Sequence, residues 1–74
     1  MSRGRATLRY GLPQAGPAGV RVFDAAGRCV LWEQRVLERS GVLTVRLPEL
    51  GAGVYLLRLD APDYAVTRKL VVQH

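Results

Sequence analysis

The sequence predicts an all-β fold, an immunoglobulin-like antiparallel β-sandwich of about seven short strands. Apolar and polar residues alternate over short segments, as they do in strands with one buried face. Turn-forming residues separate these segments at regular intervals, and helical periodicity is hard to find. A chain of 74 residues has room for one small hydrophobic core, so a single domain is expected.

Alternation predicts six strands directly, in chain order. The first is followed by residues 13–19, which contain two prolines and are predicted as a loop. The fourth ends at Pro48, which lacks a backbone donor, and Tyr55 shares an apolar face with later residues of the fifth. The predicted strands are residues 6–12, 20–24, 29–36, 42–47, 54–60 and 65–72.

The turn between the second and third predicted strands has a specific residue chemistry. Asp24 stands at its start and Gly27 near its end, which suits a type I turn closed by a left-handed residue. Glycine adopts that conformation at little cost. The two flanking strands are therefore expected to form a hairpin.

The positive charge is scattered along the chain. A formal net charge of +5 would favour acidic partners. However, Arg9, Arg21, Arg46, Arg58 and Arg68 are separated along the chain, and the first four stand singly between apolar residues, which is typical of solvent-facing strand positions. We therefore favour a solubilising role over a phosphate-binding stripe, and no nucleic-acid partner is expected.

The residues needed for catalysis or metal binding are scarce. The sole histidine is His74, the last residue given, so neither a catalytic triad nor an enzymatic function is expected. Cys29 is the only cysteine, which excludes an intrachain disulfide and leaves no ligand-spaced pair for a metal or other cofactor. A weak Ca²⁺ site at Asp60 and Asp63 is the alternative to a plain turn. Residues 51–53 are interpreted as a turn, since no helix signal follows to complete a phosphate loop.

The chain has five aromatic residues, and exposed aromatic rings on one face could form a surface on which a carbohydrate stacks. Tyr10 and Tyr55 alternate with apolar neighbours and are expected in the core. Phe23, Trp32 and Tyr64 are left as candidates for exposure, although Trp32 is expected to pack against the sheet edge or core.

No signal peptide or membrane-spanning helix is expected in this sequence. The basic start is followed by turn-forming residues 11–17, which excludes the apolar region of a signal peptide, and no apolar run approaches the ~18 residues of a spanning helix. Residues 6–73 are predicted to form the domain. Residues 1–5 are expected to be disordered or left over from cloning.

Four motifs, in this order, resemble a known family, the C-terminal sorting domains of type IX secretion cargo. Each motif alone is common, but the ordered set spans nearly the whole chain. The motifs are Leu8-Arg9-Tyr10-x-Leu12-Pro13, Val20-x-Val22-Phe23-Asp24-x-x-Gly27-Arg28-x-Val30, Leu50-x-x-Gly53-Val54-Tyr55-x-x-Arg58-Leu59 and Arg68-Lys69-Leu70-Val71-Val72.

The resemblance implies an address label on a larger secreted protein, often a hydrolase or adhesin. It implies recognition in the periplasm by an outer-membrane translocon and its shuttle component. A cell-surface sortase would then remove the domain and attach the cargo to anionic lipopolysaccharide. The cargo would be secreted or held at the cell surface, and the domain would be a monomer or a weak edge-strand dimer without catalysis of its own.

The resemblance also divides the motif residues into two sets. The recognition candidates are Arg58, Arg68, Lys69 and Val71. The residues expected to have a structural role are Asp24, Gly27, Gly53 and Tyr55.

The chain departs from the family pattern in two places, and these keep an alternative open. It contains no asparagine, so the Asn-Pro pair that many members carry before the first strand is absent. It also lacks the basic terminal residue often seen in the family. A related module of flagellar hook-capping proteins shares much of the pattern. The alternative function is therefore a structural or carbohydrate-associated β-sandwich spacer in a multidomain secreted enzyme.

Overall fold

The computed structural model describes residues 4–73, in which strands account for all of the regular structure. No helix in this range is long and apolar enough to cross a membrane. The prediction of an all-β sandwich is confirmed, with six strands in place of about seven. The strands are β1 (Arg5–Gly11), β2 (Gly16–Phe23), β3 (Cys29–Leu37), β4 (Ser40–Arg46), β5 (Gly53–Ala61) and β6 (Tyr64–Val72).

The strands form two antiparallel sheets. One contains β1 and β4, and the other has the order β3-β2-β5-β6. Strand β1 begins at Arg5, one residue before the predicted start of the domain, while residues 1–3 lie outside the described range. The domain bounds of 6–73 stay a prediction.

The second strand begins earlier than the sequence predicts. Residues 13–19 were expected to be a loop, but β2 starts at Gly16 and includes Pro17. Only β3 pairs with β2 at this end, because pairing with β5 starts at Gly19. Pro17 therefore lies where β2 has a single neighbour, a position in which a missing backbone donor is tolerated.

The core lies between the inward faces of the two sheets. Tyr55, Leu57 and Leu59 are buried together on β5, as the alternation predicts, whereas Tyr10 is only half-buried. Burial of these aliphatic side chains supplies the main driving force for folding. The largest fully buried side chains are Leu43, Leu57, Leu59, Val20, Val22 and Val45.

The two long sides of the sandwich differ. On one side Arg35 of β3 donates a hydrogen bond from Nη2 to the carbonyl of Thr44 on β4 (2.9 Å) and pairs with Glu33 (3.2 Å). On the other side β1 and β6 are not hydrogen-bonded to each other. A shallow gap lies there, with Ala6 and Leu70 among the residues that line it.

Candidate functional site

The turn at Asp24 is a hydrogen-bonded structural element. Asp24 Oδ1 accepts hydrogen bonds from the backbone N–H groups of Ala26 (3.0 Å) and Arg28 (2.9 Å), and Oδ2 accepts one from Arg28 Nε (3.0 Å). The bond from the Arg28 backbone is the largest cause of a lowered pKa at Asp24. Gly27 has a φ of +89°, the left-handed conformation that the sequence predicts. The turn sets the β2–β3 hairpin.

Tyr55 anchors the start of β5. Tyr55 is 9% exposed, and its hydroxyl donates a hydrogen bond to the carbonyl of Gly51 (2.7 Å). Gly53 is the first residue of β5 and lies between these two partners in sequence. This geometry favours the structural role expected for Gly53 and Tyr55.

An apolar patch with one lysine lies on the outward face of β5 and β6. Val54 is directly opposite Val71, and Leu56 is directly opposite Lys69. The three aliphatic side chains are 43%, 41% and 44% exposed, respectively. We call these four residues the β5–β6 patch. Aliphatic side chains clustered on a surface mark a site that a protein partner could cover.

Arg58 lies beside this patch and is held by an ion pair. Its Nε lies 2.9 Å and 2.8 Å from the two carboxylate oxygens of Asp60. This hydrogen bonding is the main reason why the pKa of Asp60 is lowered and that of Arg58 is raised. The Asp60 carboxylate is thus engaged by a guanidinium, and Asp63 forms part of the β5–β6 turn with a φ of +59°. Within residues 4–73, no three metal-ligating side chains come together.

Arg68 lies apart from the other recognition candidates. It pairs with Leu57, whose side chain is in the core, so Arg68 projects on the opposite side of β6 from Lys69. Its side chain is exposed along the gap beside β1. An inward-pointing charge at an edge strand discourages pairing with another sheet. The structure therefore brings Arg58, Lys69 and Val71 onto one surface and places Arg68 elsewhere.

The expected position of Trp32 was wrong. Its side chain is 55% exposed, while Phe23 and Tyr64 are half-buried. Trp32 pairs with Arg21, which fixes it on the outward face of the four-stranded sheet. Successive residues of a strand point to opposite faces. The residues of β3 that point inward are therefore the alternate ones, which include the buried Leu37.

A second surface could not be predicted from the sequence. On the outward face of β1 and β4, Arg5 is directly opposite Arg46, and Thr7 is opposite Thr44. Arg9 extends the same face, and all five side chains are exposed. These arginines stand singly in the sequence, and the pairing of β1 with β4 brings them together. The alternation of apolar and polar residues in β1 indicates that Arg5, Thr7 and Arg9 share a face. It does not identify the strand that pairs with β1.

Cys29 and His74 were also considered for chemistry in the sequence. Cys29 is exposed, and its Sγ lies 3.2 Å from the carbonyl oxygen of Leu31. His74 lies outside the described residues.

Comparison with known families gives a match that covers nearly the whole chain. The model of a family described as "Secretion system C-terminal sorting domain" matches residues 3–73. No curated protein and no solved structure matches the chain. The resemblance of the four ordered motifs is thereby confirmed at the level of the family.

Proposed function

Because the chain belongs to the family of secretion system C-terminal sorting domains, we propose that it is a non-catalytic translocation signal recognised by the type IX secretion machinery. The single observation that carries this proposal is the family match over residues 3–73. The cargo would be an upstream part of the same secreted or cell-surface protein. The partners would be the outer-membrane translocon, its shuttle and a sortase.

We assign recognition to the β5–β6 patch together with Arg58. Its aliphatic side chains lose water when a partner covers them, which favours binding. Lys69 and Arg58 add positive charge, which orients an approaching partner and rejects surfaces of like charge. Both contributions need the fold, because Val54 and Val71 belong to different strands. The machinery would thus recognise a folded surface.

Export of a fusion protein tests this assignment. The full chain is fused to the C-terminus of an inert reporter that carries a signal peptide, in a bacterium with a compatible type IX system. We expect the reporter to cross the outer membrane. Retention of the fusion in the periplasm, with the domain shown to be folded, would contradict the sorting function.

Matched surface variants test the recognised face in the same fusion. Lys69→Glu and Val71→Asp are expected to reduce export while the domain remains folded, which its melting temperature checks. Arg39→Glu and Val36→Asp make the same chemical changes at exposed positions away from the patch, and Val36 is 85% exposed. Export of these controls should match the unmodified fusion. Equal export of all four variants would move recognition to another surface and leave the sorting function intact.

One observation favours the alternative of a carbohydrate-associated spacer, namely the exposure of Trp32. A single exposed ring can stack on one sugar, while firm binding generally needs further polar partners around it. We expect titration with cellulose- or xylan-type oligosaccharides to leave the fluorescence of Trp32 unchanged. Saturable binding at micromolar concentration would favour the alternative.

A further inference from the structure

The outward face of β1 and β4 contains a directly opposed pair of like charges. Arg5 and Arg46 are directly opposite in the ladder, where Cβ atoms of antiparallel neighbours lie about 5 Å apart. Like charges in this position destabilise a sheet. The ladder is held closed beyond them by a hydrogen bond from Leu47 N–H to the carbonyl of Gly4 (2.9 Å). The backbone therefore fixes the two arginine side chains at neighbouring positions on this face.

The two strands that form this face contain no compensating charge. Arg9 adds a third guanidinium two pairs along the same face, opposite Val42. The described outward positions of β1 and β4 include no carboxylate, and none of the ion pairs found in residues 4–73 includes these three arginines. We call Arg5, Arg9 and Arg46, with Thr7 and Thr44 between them, the arginine face.

The chemistry of this face selects phosphate groups on an extended surface. Guanidinium groups bind phosphate through paired N–H donors, and threonine hydroxyls donate further hydrogen bonds. Alternate residues of a strand lie about 7 Å apart, so the cations are spread over a nearly flat area. No aromatic ring stands at its outward positions, which removes the stacking that sugar or single-stranded nucleic-acid binding would use.

We propose that the arginine face binds the phosphate headgroups of an anionic membrane. Charge complementarity is the argument, since a plane of phosphates matches several spread cations better than one small anion does. The neutralisation of Arg5 and Arg46 by phosphate would remove a repulsion built into the free domain. This proposal is independent of the sorting function, because the β5–β6 patch belongs to the other sheet.

Sedimentation with lipid vesicles tests the proposal with the full chain. The probes are vesicles of phosphatidylcholine containing phosphatidylglycerol and vesicles of phosphatidylcholine alone, at about 0.1 M salt, where charges are screened beyond about 10 Å. We expect binding to the anionic vesicles only. Arg46→Glu should weaken it about tenfold or more, because one cation is lost and one anion gained.

The matched control is Arg21→Glu, which makes the same charge change on the outward face of the other sheet. It should alter vesicle binding by less than about twofold, since its side chain points away from the bound membrane. Equal loss with both variants would overturn the proposal, because it would indicate attraction to net charge alone. Absence of binding to the anionic vesicles would overturn it as well.

Inorganic phosphate distinguishes a membrane from a free anion. Arg46→Glu should itself raise the melting temperature, so loss of vesicle binding in this variant is not a folding defect. If millimolar phosphate raised the melting temperature of the unmodified domain and the domain did not bind anionic vesicles, the site would belong to free phosphate and the membrane proposal would be wrong.

Discussion

The two outward faces of the sandwich have different chemistry, although both are made of alternating strands of one short chain. The β5–β6 patch combines three aliphatic side chains with Lys69, and the neighbouring Arg58 is paired with Asp60. The arginine face combines cations and hydroxyl groups, and Arg5 and Arg46 face each other without an acidic partner. The exposed strand positions therefore do more than keep the protein in solution, because they form two surfaces of different chemistry. The neighbours of each position on the adjacent strand determine what it could bind.

The largest effect is expected beneath the β5–β6 patch, at Tyr55. Tyr55→Ala should reduce the free energy of unfolding by roughly 3–5 kcal/mol, because it removes a large buried ring. Denaturant unfolding measures this. Tyr55→Phe is the matched control and should cost about 1 kcal/mol, since only the hydrogen bond to Gly51 is lost. If Tyr55→Ala left the free energy of unfolding nearly unchanged, the β5–β6 patch would not depend on the buried Tyr55 ring.

The next effect is expected at the hairpin turn of the four-stranded sheet. Gly27→Val should cost about 1–2 kcal/mol, because a β-branched residue is strained at a φ of +89°. Gly27→Asn should cost less, since asparagine tolerates the left-handed conformation better. Thermal unfolding of both variants checks the order. Equal stability of the two variants would contradict a turn effect.

A smaller effect, of opposite sign, is expected on the arginine face. Arg46→Glu should stabilise the domain by about 0.2–1 kcal/mol, because a cross-strand ion pair replaces a like-charge pair. Arg5→Glu should do the same, whereas the double variant recreates the repulsion with two carboxylates. The free energies of unfolding of the unmodified domain, the two single variants and the double variant give the coupling energy between these positions. Additive effects would indicate that the two arginines do not repel each other.

The smallest effect is expected from acidification, at the two aspartates with lowered pKa. Folding lowers the pKa of Asp24 and Asp60 below the ordinary value of 3.8. Their contribution to stability is therefore present above that value and is lost as the pH falls through the lower, folded values. The arginine of each pair is exposed to water, so the loss should be small. Melting temperatures between neutral and acidic pH should fall less steeply for Asp60→Asn than for the unmodified domain.

Most strand positions and the Asp24–Gly27 turn could be predicted because they depend on local sequence. Alternation and turn chemistry act over a few residues, and they also identify the buried face of β5. The early start of β2, the exposure of Trp32 and the meeting of Arg5 with Arg46 depend instead on which strands pair and in which register. Such long-range pairing is not encoded in the periodicity of one segment. Two residues of the β5–β6 patch, Lys69 and Val71, were predicted as recognition candidates. Their partners on β5, Leu56 and Val54, could not be predicted because they depend on the register of β5 with β6.

The central claim is that the machinery contacts the β5–β6 patch and not the opposite face during export. Site-specific photo-cross-linking of the reporter fusion tests this, with the reactive side chain placed at Leu56 or at Val42. Both positions are exposed aliphatic residues opposite a cation, Lys69 and Arg9 respectively. We predict adducts with an outer-membrane secretion component from position 56 and none with that component from position 42. Adducts with that component from position 42 alone, or equally from both positions, would contradict the claim.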